Sequence, residues 1–313
     1  MKNVVTTWNL TRVFGTFTAV DSLTLSIEEG EIFGFLGPNG AGKSTAVRML
    51  CGILEPTAGT ATVLGYDLLR QTEQIKRKIG YMSQKFSLYD DLTVLENLDF
   101  YAGLYSIPNG QRRNRLGEIL SLVSLAGQED ELVANLSGGW KQRLALGCAI
   151  ISRPSLVFLD EPTSGVSPTG RRAFFNLIQQ LAGEGTTVIV TTHFMDEAER
   201  CHRIAFMSGG RLIAVDTPDN LKANTLQGCL VELELPEAMD RIPAIEEQPY
   251  VKECSPHGSL LHVLLDSPAG VAALERFTGA VARPITPSLE DVFVALARHD
   301  RARQPQAADR ENR

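Results

Sequence analysis

Over the first two-thirds of the chain, short apolar runs alternate with stretches of helical periodicity. Residues 23–27 alternate apolar and polar side chains, as a half-buried strand does. Residues 31–36 form a short apolar run that leads into a glycine-rich turn, and 46–54 then read as a helix. Strands are expected at 60–64 and 79–82. The pattern from 93 to 125 is helical, and Thr93 followed by Glu96 predicts a capping box at its start. Residues 156–159, 187–191 and 204–207 have the length and apolarity of buried parallel strands. Strands and helices in alternation predict an α/β domain.

The character changes around 219–227. Alternation returns at 229–235 and 260–265, a helical pattern covers 271–277, and another helix is expected after Ser288. Glu290 and Asp291 fall in its first turn, where the helix dipole favours acids. Pro236, Pro243 and Pro249 are expected between elements. The pattern predicts a large α/β domain over 1–225, a small α+β domain over 226–300, and a disordered tail over 301–313, which is polar and aperiodic. No internal repeat is visible.

Composition narrows the picture. The 313 residues are 43% hydrophobic and 21% charged, enough for a packed core and unlike a disordered chain. A net charge of −7 argues against nucleic acid as a partner and against direct adsorption to anionic lipid. No apolar run approaches the roughly 18 residues that span a bilayer, and residues 1–10 lack a signal-peptide pattern. Work at a membrane would therefore need a partner to hold the chain there. The five cysteines form no CxxC pair and read as reduced thiols. Cys201 and His202 are a suggestive neighbour pair for a metal, but no second pair lies at ligand spacing.

Three motifs carry chemistry. Gly37, Pro38, Asn39, Gly40, Ala41, Gly42, Lys43, Ser44 and Thr45 match GxxxxGK[ST] between a predicted strand and a predicted helix. Glycines let backbone N–H groups converge on phosphate oxygens, and the helix presents its unpaired N–H groups to the same anion. In such a loop Lys43 reaches the β- and γ-phosphates, the Ser44 hydroxyl ligates Mg²⁺, and Thr45 adds a phosphate contact. The second motif is the strand 156–159, which ends in Asp160 and Glu161. Ligands of open α/β sheets bind at that end of the strands. Asp160 suits the Mg²⁺ shell, through water, and Glu161 suits proton abstraction from an attacking water. The third is Ser137, Gly138 and Gly139 before Trp140 and a helical run. It is a second helix N-terminus built for an anion. One nucleotide does not need both anion sites, so either there are two ligands or the second site serves another subunit's nucleotide.

The phosphate loop, LSGGW, LVFLDEPTSG and TTHFMDEAE occur here in the order found in the ATP-binding subunits of ABC transporters, and the chain resembles that family over about 1–225. The resemblance implies a P-loop NTPase (RecA-like) core with an ABC-type helical subdomain at about 85–150 and an antiparallel β subdomain. It implies ATP and Mg²⁺ as cofactors and two copies facing head to tail, so that Ser137, Gly138 and Gly139 of one bind ATP held by the other. By the same match Phe14 looks like the aromatic that stacks on adenine, with Phe17 as its rival. Gln84 looks like the glutamine that meets Mg²⁺ and the attacking water, and His193 like the histidine that contacts the γ-phosphate.

Two residues depart from the family's pattern. Trp140 stands where a glutamine is usual, and Ser167 where an aspartate is usual. The first puts a ribose contact in doubt, and the second the contact that organises the dimer around the catalytic water. The segment 287–293, PSLEDVF, resembles the end of drug-exporter and related ABC-2-type subunits. The function expected from the resemblance is an ATPase subunit, a dimer on the cytoplasmic face of the inner or plasma membrane. It would energise export of a drug-class substrate through a separate transmembrane permease, with no nucleic-acid partner. Two alternatives remain open at this point: a non-transport ABC ATPase, and a regulatory nucleotide-gated subunit with impaired turnover.

Overall fold

A computed structural model describes residues 2–85 and 87–303. The chain divides into two compact units, Met1–Val215 and Asp216–Arg313. The division falls somewhat before residue 225, because the helix at 218–224 clusters with the second unit.

The first unit opens with two long strands, β1 (Asn3–Phe14) and β2 (Phe17–Glu28), followed by β3 (Ile32–Leu36), α1 (Lys43–Leu50), β4 (Ala58–Val63) and β5 (Tyr66–Asp67). Next come α2 (Thr72–Lys76), β6 (Ile79–Met82), α3 (Val94–Leu104), α4 (Asn109–Leu122) and α5 (Gly138–Ile150). The unit closes with β7 (Leu156–Asp160), α6 (Pro168–Gly183), β8 (Thr187–Thr192), α7 (Met195–Ala198), β9 (Arg203–Ser208) and β10 (Arg211–Asp216). Two sheets result. One has the order β2-β1-β4-β5 with antiparallel pairing. The other has the order β10-β9-β3-β8-β7-β6, and β9, β3, β8, β7 and β6 pair in parallel.

The strands of the parallel sheet are largely apolar because both their faces are covered: β3 and β7 are buried at every residue. One core joins the antiparallel sheet, α1 and the parallel sheet through Val5, Leu10, Phe33, Phe35, Val47 and Phe158. Phe33 and Phe35 face the same side of β3, two residues apart, and meet edge to face with ring centres 5.3 Å apart. The strand order matters for function. β3 lies between β8 and β9, and β7 lies beside β8, so the loops leaving β3, β7 and β8 emerge at one edge of the sheet.

The helical pattern from 93 to 125 is two helices, α3 and α4. Pro108 sits between them and caps α4, since the ring cannot continue a helix from the preceding turn. The capping box at Thr93 is present: Glu96 N–H donates to Thr93 Oγ1 at 3.1 Å, and Thr93 N–H to Glu96 Oε2 at 2.8 Å.

The second unit contains α8 (Pro218–Asn224), β11 (Cys229–Leu233), α9 (Ala238–Glu246), β12 (Val251–His257), β13 (Leu260–Leu265), α10 (Val271–Thr278), β14 (Arg283–Pro284) and α11 (Leu289–Arg303). Its sheet has the order β12-β13-β11-β14, over a core of Val231, Leu233, Ile245, Val263 and Leu274. Pro243 lies inside α9 rather than between elements. Pro243 and Met239, whose carbonyl a residue at 243 would otherwise pair, are both exposed, so water can serve that carbonyl. Helix α11 runs through Arg303, so the first residues of the expected tail are helical; Ala302 and the neighbouring arginines are good helix formers. The rest of that expected tail, 304–313, lies outside the described residues. Among the described residues no helix is long and apolar enough to cross a membrane.

Candidate nucleotide site

The loop 37–42 leaves β3 and turns directly into α1, whose first residue is Lys43. Two glycines are forced by their surroundings. A Cβ on Gly37 would stand 2.3 Å from the Met207 carbonyl oxygen, and one on Gly42 2.4 Å from that of Ala19. Gly42 also has φ +97°, in the region that favours glycine. The loop is thereby pressed against β9 and β2 on one side and leaves Gly40 open on the other.

Lys43 is buried at 3% exposure, and its Nζ donates to the loop's own carbonyls, Gly37 O at 2.8 Å and Pro38 O at 3.1 Å. Glu161 Oε1 stands 3.5 Å away. Burial pushes the ammonium pKa down, and the Glu161 carboxylate opposes that shift. A cation held this way, over an open glycine turn, is placed to exchange loop carbonyls for phosphate oxygens.

The carboxylate pair ends β7. Asp160 is fully buried, and its Oδ1 accepts from Ser44 Oγ at 2.6 Å and from Thr191 Oγ1 at 2.8 Å. Its Oδ2 is buried without a hydrogen-bond partner among the described residues. A carboxyl group with one oxygen unsatisfied beside a serine hydroxyl is a hard oxygen donor set of the kind Mg²⁺ takes. The residues present therefore fit the ion.

Glu161 has φ +47°, a left-handed conformation uncommon for a side chain of this kind. Its N–H donates to Thr191 Oγ1 at 2.8 Å, which pins the turn to β8, where Asp160 and Thr191 are register partners. One threonine hydroxyl thus holds both carboxylate residues, by accepting from one backbone and donating to the other side chain. Gln84, just past β6, donates through Nε2 to Glu161 Oε2 at 3.0 Å. His193, just past β8, brings Nδ1 to 3.8 Å from the same oxygen, and that nitrogen is buried without a hydrogen-bond partner among the described residues. Strained backbone, converging polar side chains and unsatisfied buried atoms mark this end of the sheet as the functional one.

A cavity of about 330 Å³ opens here, lined by the loop from Asn39 to Thr45 together with Ala19, Phe17, Gln84 and Glu161. Phe17 lines it and Phe14 does not; the two are register partners at the tip of the β1–β2 hairpin, and the Phe14 ring is covered by the Arg12 guanidinium at 4.4 Å. A larger cleft of about 400 Å³ near α4 contains none of the motif residues, and its charged groups, Arg115, Arg153 and Glu118, pair with one another.

Ser137, Gly138 and Gly139 do not line the cavity. Ser137 precedes α5 but makes no side-chain capping bond, and a Cβ on either glycine would meet nothing within 4 Å among the described residues. The helix start is open, with no acid in its first turn. Trp140 is 37% exposed beside it, with the Arg143 guanidinium 5.7 Å from its ring centre. Ser167 has a structural role of its own: it caps α6 by accepting from Gly170 N–H at 3.2 Å. The Cys201–His202 pair is structural as well. His202 Nδ1 accepts from Ile32 N–H at 2.8 Å, and burial pushes the Cys201 thiol far up.

Two residues that sequence reasoning passes over complete the frame. Thr191, by bridging Asp160 and Glu161, is one. Glu197, on α7, is the other: it is buried and accepts from the Thr163 and Thr192 hydroxyls, joining the segment after β7 to the end of β8. Gln142 of α5 adds a link to that segment through Ser164 O at 3.3 Å.

The sequence and the fold also match those of known proteins. The family model for ABC transporters matches residues 20–164. The chain is 48% identical over 227 residues to the probable multidrug ABC transporter ATP-binding protein YbhF of Escherichia coli; that match covers 72% of this chain but 39% of YbhF, so the chain spans well under two-thirds of that relative. It is 33% identical over 293 residues to the Nod factor export ATP-binding protein I of Cupriavidus metallidurans, covering 92% of this chain and 95% of the relative. A dimeric post-hydrolysis structure of the ATP-binding cassette MJ0796, bound to ADP and Pi, superposes with a TM-score of 0.63 at 28% identity, over 68% of this chain and 98% of that one.

Proposed function

The chain belongs to the ABC transporter ATP-binding family, and from that premise we propose that it binds and hydrolyses ATP to drive export of a substrate through a separate transmembrane permease. The observation that carries the reading is the placement of Glu161. Its carboxylate faces the buried Lys43 at 3.5 Å and Gln84 at 3.0 Å, at the wall of the loop cavity.

The chemistry follows from these positions. The loop N–H groups and Lys43 bind the phosphates of ATP, and Lys43 releases its hold on Gly37 O and Pro38 O to do so. Ser44, Asp160 and Gln84 are the residues that would hold Mg²⁺, which when bound neutralises charge on the phosphates. Glu161 accepts a proton from the attacking water, with Gln84 orienting its carboxylate. His193 stands behind Glu161, where an imidazole N–H can meet the terminal phosphate. An aromatic at the β1–β2 tip, Phe14 or its register partner Phe17, supplies the adenine platform.

Closure takes a second copy. The open helix start at Ser137, Gly138 and Gly139 lies apart from the cavity of its own chain, which suits it to the nucleotide of a partner in a two-fold dimer. Binding of ATP then favours the closed dimer, and hydrolysis removes that preference. The second unit is an accessory domain, and the chain sits at the cytoplasmic face of the membrane through its permease. The substrate is of the kind handled by multidrug and Nod factor exporters, to judge from the names of its relatives.

The test is ATP turnover by the purified chain alone and after reconstitution with its membrane partner in vesicles. Stimulated turnover with substrate-dependent efflux is expected. Tight ATP binding with no turnover in either setting would instead make the chain a nucleotide-gated regulator, the reading that Trp140 and Ser167 invite.

A further inference from the structure

Arg171 lies at the end of the first turn of α6, four residues after Ser167, and its N–H closes that turn onto Ser167 O at 2.9 Å. Its side chain is only 13% exposed, yet Nε and Nη1 are buried without a hydrogen-bond partner among the described residues. Nη2 stands 3.5 Å from Asp196 Oδ2, on a side chain that is itself exposed. A guanidinium carries five N–H donors, and leaving them buried and unpaired is costly. Hydrogen bonding is therefore not what holds this group in place.

Phe194 holds it. The guanidinium carbon is 3.8 Å from the centre of the Phe194 ring, the distance of a flat cation stacked on a π face. Phe194 is the residue just before α7, and its ring centre is 4.0 Å from that of His193, with the planes tilted by 40°. Both separations are too short for contact at the ring edge, so guanidinium and imidazole each lie over the phenyl ring.

His193 ends this row beside the chemistry. Its Nδ1 is 3.8 Å from Glu161 Oε2 and is buried without a hydrogen-bond partner among the described residues. An imidazole with no bond at that nitrogen takes its orientation from packing. The backbone is fixed separately, by Phe194 N–H donating to Thr192 Oγ1 at 3.0 Å, which leaves the side chains to the stack.

We propose that Arg171 and Phe194 are positioning residues for hydrolysis. Arg171 clamps the Phe194 ring, and the ring holds the His193 imidazole beside Glu161. The inference rests on the proposed ATP hydrolysis at this site and adds to it two residues that touch neither nucleotide nor water. Neither is marked by the motifs. Arg171 is one of two consecutive arginines in a helix, and Phe194 is an aromatic at a strand end.

The test separates the stack from the charge of Arg171, which also faces Asp196 and Glu197. Steady-state kinetics are measured on Arg171→Gln, Arg171→Lys, Phe194→Leu and Phe194→Tyr, with melting curves to show that each folds. Arg171→Gln and Phe194→Leu are expected to lower kcat by about tenfold, the scale of one desolvated cation–π contact, with KM for ATP unchanged. Phe194→Tyr keeps the ring and should keep the wild-type kcat. Arg171→Lys keeps the charge but not the flat stack, so it should fall with Arg171→Gln. In protein labelled with ¹³C at the histidine rings, the His193 signal is identified by its loss in His193→Ala. Arg171→Gln leaves Phe194 in place, and it should still move the His193 signal toward the position of free histidine. A His193 signal that Arg171→Gln does not move overturns the proposal, as does full kcat in Arg171→Lys or in Phe194→Leu. A wild type that fails to turn over ATP counts against the ATPase reading instead, and the ring signal then tests the stack by itself.

Discussion

Ser44 and Asp160 lie 116 residues apart in sequence and are joined by a hydrogen bond of 2.6 Å from Oγ to Oδ1. The bond ties the first turn of α1 to the end of β7, and it leaves Asp160 Oδ2 buried and unpaired among the described residues. If this pair is the metal-binding corner of the nucleotide site, Ser44→Ala should separate nucleotide affinity from its Mg²⁺ dependence. ATP affinity in the presence of Mg²⁺ should fall by at least about tenfold, the scale of one bond to a charged group, while affinity measured with EDTA should hardly change. A fluorescent ATP analogue titrated with and without Mg²⁺ reads both. Equal losses under the two conditions would remove Ser44 from the metal shell.

Glu161 meets Gln84, Lys43 and His193 around one carboxylate. Glu161→Gln keeps the shape and removes the base. Steady-state hydrolysis should drop by about 10²–10⁴-fold, the usual contribution of a positioned general base, while ATP binding persists. The variant should also accumulate as an ATP-bound dimer, visible by size-exclusion chromatography with light scattering. Turnover at the wild-type rate would assign the base elsewhere.

Legibility tracks how contiguous each feature is. The phosphate loop is readable because a single stretch, 37–45, contains most of its contacts. Asp160 and Glu161 are readable because a fully buried strand announces where its end lies. Thr191 is not, because a threonine in an apolar run is an ordinary strand former. Its role exists only through the register that sets it opposite Asp160. Glu197 contacts Thr163, 34 residues away, and nothing local marks that pairing. Strand β1 is hidden too, since bulges break its alternation at several points along the pairing with β2. Pro243 misleads for the opposite reason: a strong local signal is overridden where the helix faces water.

Thr191 offers a test of that frame. Its hydroxyl accepts from Glu161 N–H at 2.8 Å and donates to Asp160 at 2.8 Å, and all three groups are buried. Thr191→Val keeps the shape and leaves a buried N–H unpaired in a strained turn. The expected cost is about 1–3 kcal/mol. In a domain of this size the melting temperature falls by roughly 2–4 °C for each kcal/mol. Thr191→Ser should recover most of the loss in a calorimetric melt, because the hydroxyl returns. A Thr191→Val melt equal to wild type would show that the turn does not depend on this bond.

Glu197 gives a prediction in pH. Its carboxylate is 2% exposed and accepts from the Thr163 and Thr192 hydroxyls, the latter at 2.6 Å; Thr192 Oγ1 in turn accepts from Phe194 N–H at 3.0 Å. Burial raises the Glu197 pKa above 4.5, and the two hydroxyl bonds and Arg171 only partly oppose it. The folded state therefore binds this proton more tightly than the unfolded chain. Stability from the group is fully present below pH 4.5 and is lost as pH rises through the raised value. Glu197→Gln has no such proton, so the wild type should lose stability relative to the variant across that window. Urea unfolding of both proteins at a series of pH values reads the difference directly. A flat difference would mean that the folded carboxylate titrates as it does in the unfolded chain. Glu197→Ala should in addition lower kcat while sparing ATP binding, because Thr192 then loses the partner that holds the end of β8, and with it His193, beside Glu161.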